Sequence, residues 1–204
     1  KDTLDFVLDK MQGPQGAYIA SFSAVDDKGV EGGYYLWTAE QLLAILSDEE
    51  LKVAGQFWHL EGTPIPENGY LPLLGPDVET IAAVLEMSEE DVKEHLESAR
   101  KKLLAARGER KLPADTKELA SWNGLLLGVL SQAATQPGGD RYRKAASALR
   151  DNLVNSLWDG KQLLRARHDG KALGSAALED YAYVATGLSH WAALTGEKKD
   201  QDLV

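Results

Sequence analysis

The residue types best suited to chemistry in this chain lie together in one stretch, Asp115–Leu125. It places an acid, a base, a tryptophan and an amide (Asp115, Lys117, Trp122 and Asn123) at the start of an almost wholly apolar run. A helix that is apolar on every side is a buried helix, and unpartnered polar groups at its start cost roughly 1–3 kcal/mol each. The stretch therefore predicts either a closed structural network, with Lys117 as the ion-pair partner of Asp115, or polar groups that face a ligand cavity.

Two further groups of acids accompany it. Glu179, Asp180 and Tyr181 begin a second apolar segment, where the helix dipole favours anions and explains one of the two carboxylates. Glu31 follows a polar turn that contains Asp26 and Asp27, and acids are common in any solvated turn. Each group therefore has a structural interpretation beside a functional one.

Glycosidic chemistry requires two carboxylates, one as acid and the other as base or nucleophile. If the two apolar helices begin at the same end of the fold, Asp115 would meet Glu179 or Asp180 there, and aromatic rings such as those of Trp122 and Tyr181 would stack on a sugar. No two histidines have metal-ligand spacing, so no metal or cofactor is expected. His190 is interpreted as a hydrogen-bonded histidine of the core.

Composition excludes several classes of function. The chain has 204 residues, a formal net charge of −10 and no cysteine. A clearly negative charge disfavours nucleic acid and anionic membranes as partners, because both require a basic surface. Without cysteine there is no disulfide and no thiolate nucleophile. No apolar run is long enough to span a membrane and no signal-peptide cleavage site is present, so we expect a cytoplasmic protein.

Helical patterns dominate the chain. Helix starts are expected at capping residues followed by apolar residues at helical spacing. These starts are Thr38, Ser47, Asp77, Ser88 and Asp140. An amphipathic helix is also expected over Lys1–Gln12, and the helix from Ser88 should end at Arg107-Gly108 with glycine in the left-handed conformation.

Two helices differ from the others because they are apolar nearly all round: Glu118–Thr135 and Ala176–Thr195. Buried helices that alternate with amphipathic ones indicate a double-layered helical array with inner and outer members. The polar run Gly196–Val204 is typical of a linker.

Strand signals are few. Ala17–Phe22 and Gly33–Trp37 flank the polar turn Asp26–Gly29, which predicts a β-hairpin. Gln162–Arg167, followed by Asp169-Gly170, predicts a shorter hairpin.

Three blocks of the sequence resemble a family of unknown function, the spermatogenesis-associated protein 20 family with its bacterial relatives. The segment from Val30 to Thr38, VEGGYYLWT, resembles the block EGKFYVWT, and the stretch Asp115–Leu125 resembles DDKxLTxWNGL. The third block, Leu178 to Ala182, resembles LEDYA. Their order and spacing match along essentially the whole chain, but Thr116 replaces the second acid of the middle block.

The resemblance implies a fold and a domain arrangement. Members of the family join an amino-terminal thioredoxin-like domain to a six-hairpin α/α toroid. We therefore expect a mainly α chain, a single partial α/α-toroid domain over residues 1–204 with a β-hairpin insertion near its start, and no thioredoxin-like domain within the chain. Toroids of this kind are related to sugar epimerases and six-hairpin glycosidases.

Two functional hypotheses follow. In the first, the domain binds or processes a small sugar, with Asp115, Glu179 and Asp180 as catalytic carboxylates. Its ligand-binding residues would be Lys117, Trp122, Asn123, Tyr181 and Glu31. In the second, it is a non-catalytic helical platform that partners a thioredoxin-like domain, and the same polar blocks are closed networks without a pocket. Exposed inner helices would also make the isolated chain self-associate.

Overall fold

The computed structural model describes residues 1–64 and 68–202. These residues form two compact units: unit 1 comprises Lys1–Phe22 with Ala114–Val204, and unit 2 comprises Ser23–Pro113. The single toroid domain expected over residues 1–204 stays a prediction.

The described residues form nine α-helices and one π-helical turn, which confirms a mainly α chain. The α-helices are α1 (Asp2–Lys10), α2 (Ala39–Ile45), α3 (Asp48–Phe57), α4 (Val78–Leu85), α5 (Glu89–Gly108), α6 (Ala120–Ala133), α7 (Asp140–Asn152), α8 (Leu178–Thr195) and α9 (Lys198–Gln201). The π-helical turn, Leu153–Leu157, continues α7.

Four of the five predicted helix starts are confirmed by capping hydrogen bonds, whereas α7 begins at Asp140 as predicted but without a side-chain cap. The hydroxyls of Thr38 and Ser47 form capping boxes with Gln41 and Glu50. The side chains of Asp77 and Ser88 cap α4 and α5 by accepting a hydrogen bond from the backbone amide three residues later. The end of α5 differs from the prediction, because Gly108 is its last helical residue and no left-handed glycine follows.

The described residues of unit 1 also form five short strands: β1 (Ser21–Phe22), β2 (Ala114–Asp115), β3 (Glu118–Leu119), β4 (Leu164–His168) and β5 (Lys171–Ser175). β1 pairs with β2, while β3, β4 and β5 form an antiparallel sheet in that order. The turn between β4 and β5 is Asp169-Gly170, with φ angles of 49° and 74°. Two residues with positive φ suit the tight turn of a hairpin, so the shorter predicted hairpin is confirmed.

The longer β-hairpin was predicted wrongly, because its two expected strands do not pair with each other. Ser21 pairs with Asp115, a residue far along the chain, and Trp37 pairs with Tyr70. Only the turn itself closes as expected, through a single bridge between Val25 and Glu31.

Arg110 explains why the second arm of that hairpin is not a strand. Its guanidinium donates to the backbone carbonyls of Tyr34 at 2.9 Å and Leu36 at 2.6 Å, and lies 3.9 Å from the centre of the Trp37 ring. Carbonyl groups bound to a side chain are not free to form a strand ladder, so this segment is held as a loop.

α6 and α8 run parallel and in close contact, with glycines where they meet. A methyl group on Gly124 would lie 2.7 Å from the carbonyl of Tyr183, and one on Gly128 would lie 2.8 Å from the imidazole of His190. As α6 advances by one turn its neighbours on α8 advance too, so both helices begin at the same end of unit 1. α7, which lies between them in the sequence, runs in the opposite direction. Asn152 near the end of α7 bonds to Gln15, and Asn123 near the start of α6 bonds to the nearby Tyr18, so the end of α7 lies close to the start of α6.

In unit 1 a returning helix thus joins two parallel ones, and the division into inner and outer helices stays a prediction. The toroid itself stays a prediction. The apolar helices are not buried all round, contrary to the sequence interpretation. The exposed fraction is 55% for Trp122, 43% for Leu125 and 47% for Val129 on α6, and 86% for Leu178 at the start of α8.

The polar run after α8 is not a linker where it is described. Gly196 ends α8 in the left-handed conformation and α9 follows. Asp200 of α9 is fully buried, where it accepts hydrogen bonds from Arg150 and from the indole of Trp191. Leu203 and Val204 lie outside the described residues. Within residues 1–64 and 68–202, no helix has both the length and the apolar character needed to cross a membrane.

Candidate functional site

The sheet β3–β4–β5 places a buried ion pair at the start of α6. Glu118 lies directly opposite Arg167 in the antiparallel register, so both side chains emerge on the same face. The Arg167 Nε and Nη2 donate to Glu118 Oε2 at 3.0 and 2.7 Å, and only 11% and 7% of the two side chains remain exposed. A pair this deep is a fixed feature of the fold rather than a mobile surface contact.

A small polar pocket of about 170 Å³ opens beside this pair. Its lining residues come from the loop before β1, the β2–β3 segment and the β4–β5 turn: Pro14, Gln15, Thr116, Glu118, Arg167, Asp169 and Gly170. Glu118 Oε1 lies against Gly13, where an added methyl group would be 3.0 Å from it. The pocket offers a hydroxyl, carboxylates and a guanidinium to a ligand the size of one small polar molecule.

Asp115 and Lys117 form the ion pair that one sequence interpretation predicted. Their side chains are 2.8 Å apart, and the Lys117 amide also donates to Asp115 Oδ1 at 3.2 Å. Hydrogen bonds from Lys117 lower the pKa of Asp115, and the nearby His168 adds to the effect. A carboxyl group with a lowered pKa stays ionised at neutral pH, which suits it poorly to the role of general acid.

The side-chain amide of Asn123 is hydrogen-bonded to backbone groups through both its oxygen and its nitrogen. Its amide bonds to the amide and carbonyl of Tyr18 at 2.8 and 3.0 Å and to the carbonyl of Leu119 at 2.9 Å. It is 98% buried and holds the segment before β1 against α6, as the structural interpretation of this stretch requires. Trp122, its neighbour in the sequence, is more than half exposed.

The two acidic residues at the start of α8 differ in their exposure to solvent. Glu179 is exposed and lies 3.6 Å from Arg165 of β4. Asp180 is 1% exposed and accepts a hydrogen bond from the Ala177 amide at 2.8 Å, so it caps the helix. The Tyr181 hydroxyl accepts from the Leu163 amide at 3.0 Å.

The predicted site residues of unit 1 therefore share one end of the unit but not one cavity. Asp115 and Lys117 precede α6, Glu179 and Asp180 begin α8, and the parallel helices bring both starts together. Glu31 belongs to unit 2, where it is exposed beside the turn. Among the residues that the structure describes, no group of three or more His, Asp or Glu side chains is placed to hold a metal ion.

Sequence reasoning missed Glu118 and Arg167 as a pair. Arg165 and Arg167 alternate with Leu164 and Ala166, a period of two that places both arginines on the same face of a strand. That signal was present in the sequence, but the opposite strand could not be identified because Glu118 was assigned to a helix.

No family model matches this chain. It is 28% identical over 190 residues to human spermatogenesis-associated protein 20, a distant homologue, and the match covers 78% of this chain. The match spans 24% of the length of that relative.

Proposed function

We propose that this chain is a non-catalytic helical platform that packs against a protein domain through one face of α6. In the family that its sequence resembles, that domain is thioredoxin-like. The observation that carries the proposal is an exposed apolar stripe, formed by Trp122, Leu125 and Val129 at spacings of three and four residues. We call these three residues the α6 stripe.

The composition of α6 supports this role. The helix Ala120–Ala133 contains no charged residue. Side chains three and four apart share one face of a helix, so the α6 stripe presents continuous apolar surface that a partner would remove from water. Burial of such area stabilises association by about 25 cal/mol per Å² before the costs of binding are subtracted.

The polar blocks support the same conclusion. Asn123 is occupied by backbone groups, Asp180 caps α8, and Glu118 is paired with Arg167. Closed networks of this kind are what the platform hypothesis requires, whereas catalysis needs polar groups free to meet a substrate.

The experiment is a calorimetric titration of this chain with a thioredoxin-like domain taken from a protein of that family. We expect saturable binding, and we expect Leu125→Glu to weaken it at least about tenfold because a charge replaces apolar contact. The matched control is Leu43→Glu on α2, which changes an equally apolar residue that is 65% exposed. Binding that Leu43→Glu weakens as much as Leu125→Glu would contradict the proposal, as would absence of binding.

The polar pocket supports a second candidate, binding of a small sugar. Thr116, Glu118, Arg167 and Asp169 offer hydrogen-bonding groups around a space of about 170 Å³. A ligand that binds only the folded state raises the melting temperature, so a panel of monosaccharides in a thermal-shift assay tests it. A shift that Thr116→Val and Asp169→Asn abolish would favour the sugar over the platform.

A further inference from the structure

An apolar cavity lies between the π-helical turn and α8, apart from both the α6 stripe and the polar pocket. Its volume is about 430 Å³, within the range of small-molecule sites. The α8 side is formed by Tyr181, Val184, Ala185 and Leu188, and Trp158 contributes a second aromatic ring. We call this space the aromatic cavity.

The π-helical turn distinguishes this place from ordinary core. Such turns are rare and occur frequently at functional sites, because the wider turn displaces side chains from the regular helical positions. Here the turn directly follows α7, contains no glycine or proline, and contributes Leu153 and Val154 to the cavity lining.

The aromatic walls are held in place by backbone contacts. The Leu163 amide donates to the Tyr181 hydroxyl at 3.0 Å, and Trp158 forms an antiparallel bridge with Leu163. A site whose walls are already fixed loses little conformational entropy when a ligand enters.

One acidic residue, the exposed Asp202, borders this apolar lining. Of the described residues around the aromatic cavity, only Asp202 carries a carboxylate, and the lining contains no lysine or arginine. Aromatic rings and a carboxylate both attract a cation, whereas an anion would meet only repulsion.

We propose that the aromatic cavity binds an organic amine with an aromatic or branched apolar body. The body fills the space between Trp158, Tyr181 and Leu188, and the ammonium group lies towards Asp202. This site is independent of the α6 stripe and of the polar pocket.

The test compares three probes of similar shape and different charge: phenethylamine, phenethyl alcohol and hydrocinnamate. Binding is followed by calorimetry and by the change in tryptophan fluorescence that is lost in Trp158→Phe, since the chain has five tryptophans. We expect the amine to bind roughly fivefold more tightly than the alcohol and the anion to bind weakest.

Two pairs of variants assign the result to the cavity. Asp202→Asn should remove the advantage of the amine, while Asp9→Asn, at an exposed carboxylate elsewhere in unit 1, should leave it unchanged. Ala185→Leu should fill the space and abolish binding of every probe, while Ala182→Leu, exposed on the same helix, should not. Equal affinity for the three probes, no binding of any, or an amine preference that survives Asp202→Asn would overturn the proposal.

Discussion

At the scale of single residues, the buried pair of Glu118 and Arg167 should contribute much more to stability than the exposed ion pairs of unit 1. Arg167→Ala would leave a carboxylate that is only 7% exposed without its cation. Loss of one partner of a buried pair costs about 3–5 kcal/mol, so we expect a loss of that order in the free energy of unfolding. Urea denaturation of the two proteins measures it.

The neighbouring pair provides the control. Arg165 and Glu179 lie 3.6 Å apart with more than half of each side chain exposed, so Arg165→Ala should cost less than about 1 kcal/mol. The double change Glu118→Leu with Arg167→Met should recover most of the lost stability, because no buried charge remains. Equal losses for Arg165→Ala and Arg167→Ala would show that the buried pair is not special.

Glu50 in unit 2 should make stability depend on pH. Burial alone would raise its pKa, but hydrogen bonds from Lys102, Ser98 and the Ser47 amide outweigh that effect and lower the pKa from 4.5 to about 2. A pKa that is lower in the folded state adds stability that is present above pH 4.5 and lost as the pH falls towards 2.

We therefore expect the free energy of unfolding to fall between these pH values and to fall less steeply in Glu50→Gln. Glu49→Gln, which removes the same charge at the exposed preceding residue, should keep the slope of the unchanged protein. Chemical denaturation over this pH range provides the comparison. Parallel curves for the unchanged protein and Glu50→Gln would contradict the assignment.

At the scale of elements, the contact of α6 with α8 depends on glycine. A methyl group on Gly187 would overlap the carbonyl oxygen of Gly124, so the helices would have to separate. Overpacking of this kind costs about 1–3 kcal/mol, and we expect Gly187→Ala to lower the free energy of unfolding accordingly. Thermal and urea denaturation check it.

Gly108→Ala is the matched control, because an added methyl group there meets nothing within 4 Å and the residue is helical. Alanine is the better helix former, but Gly108 is the last helical residue, so this change should stabilise the protein by at most about 0.5 kcal/mol. A Gly187→Ala protein as stable as the unchanged protein would contradict the close packing of α6 against α8.

Elements fixed by neighbouring residues could be predicted from the sequence, and those fixed by distant residues could not. Thr38 and Ser47 cap helices through bonds to the third residue along, and the Asp169-Gly170 turn joins adjacent strands. The prediction of the arms of the longer hairpin was wrong because Ser21 pairs with Asp115 and Trp37 pairs with Tyr70, and neither partner is close in sequence.

In the candidate site, too, contacts between neighbouring residues could be predicted from the sequence and contacts between distant residues could not. The pairing of Asp115 with Lys117 was one of the predicted alternatives, since the two are close in sequence. The burial of Asp180 and the occupation of Asn123 by Tyr18 depend on tertiary packing, which residue spacing does not reveal. The roles in sugar chemistry that were expected for these residues stay predictions.

At the scale of the whole molecule, the α6 stripe should make the isolated chain self-associate. Trp122, Leu125 and Val129 expose apolar surface without a charge on the helix to oppose a second copy, despite the net charge of −10. Light scattering should show a mass that rises with concentration, and Leu125→Glu with Val129→Glu should restore a monomer. A monomer at every concentration would contradict this prediction, and Leu43→Glu serves as the control.

The central claim is that a protein domain covers the α6 stripe, and Trp122 reports on it directly. The fluorescence of Trp122 is the difference between the spectra of the unchanged protein and Trp122→Phe, measured while a thioredoxin-like domain is added and acrylamide is used as the quencher. The platform predicts that this difference spectrum shifts to shorter wavelength and is protected from acrylamide as binding saturates. A Trp122 signal that remains fully quenchable at saturation, or that never changes while a sugar raises the melting temperature, would contradict it.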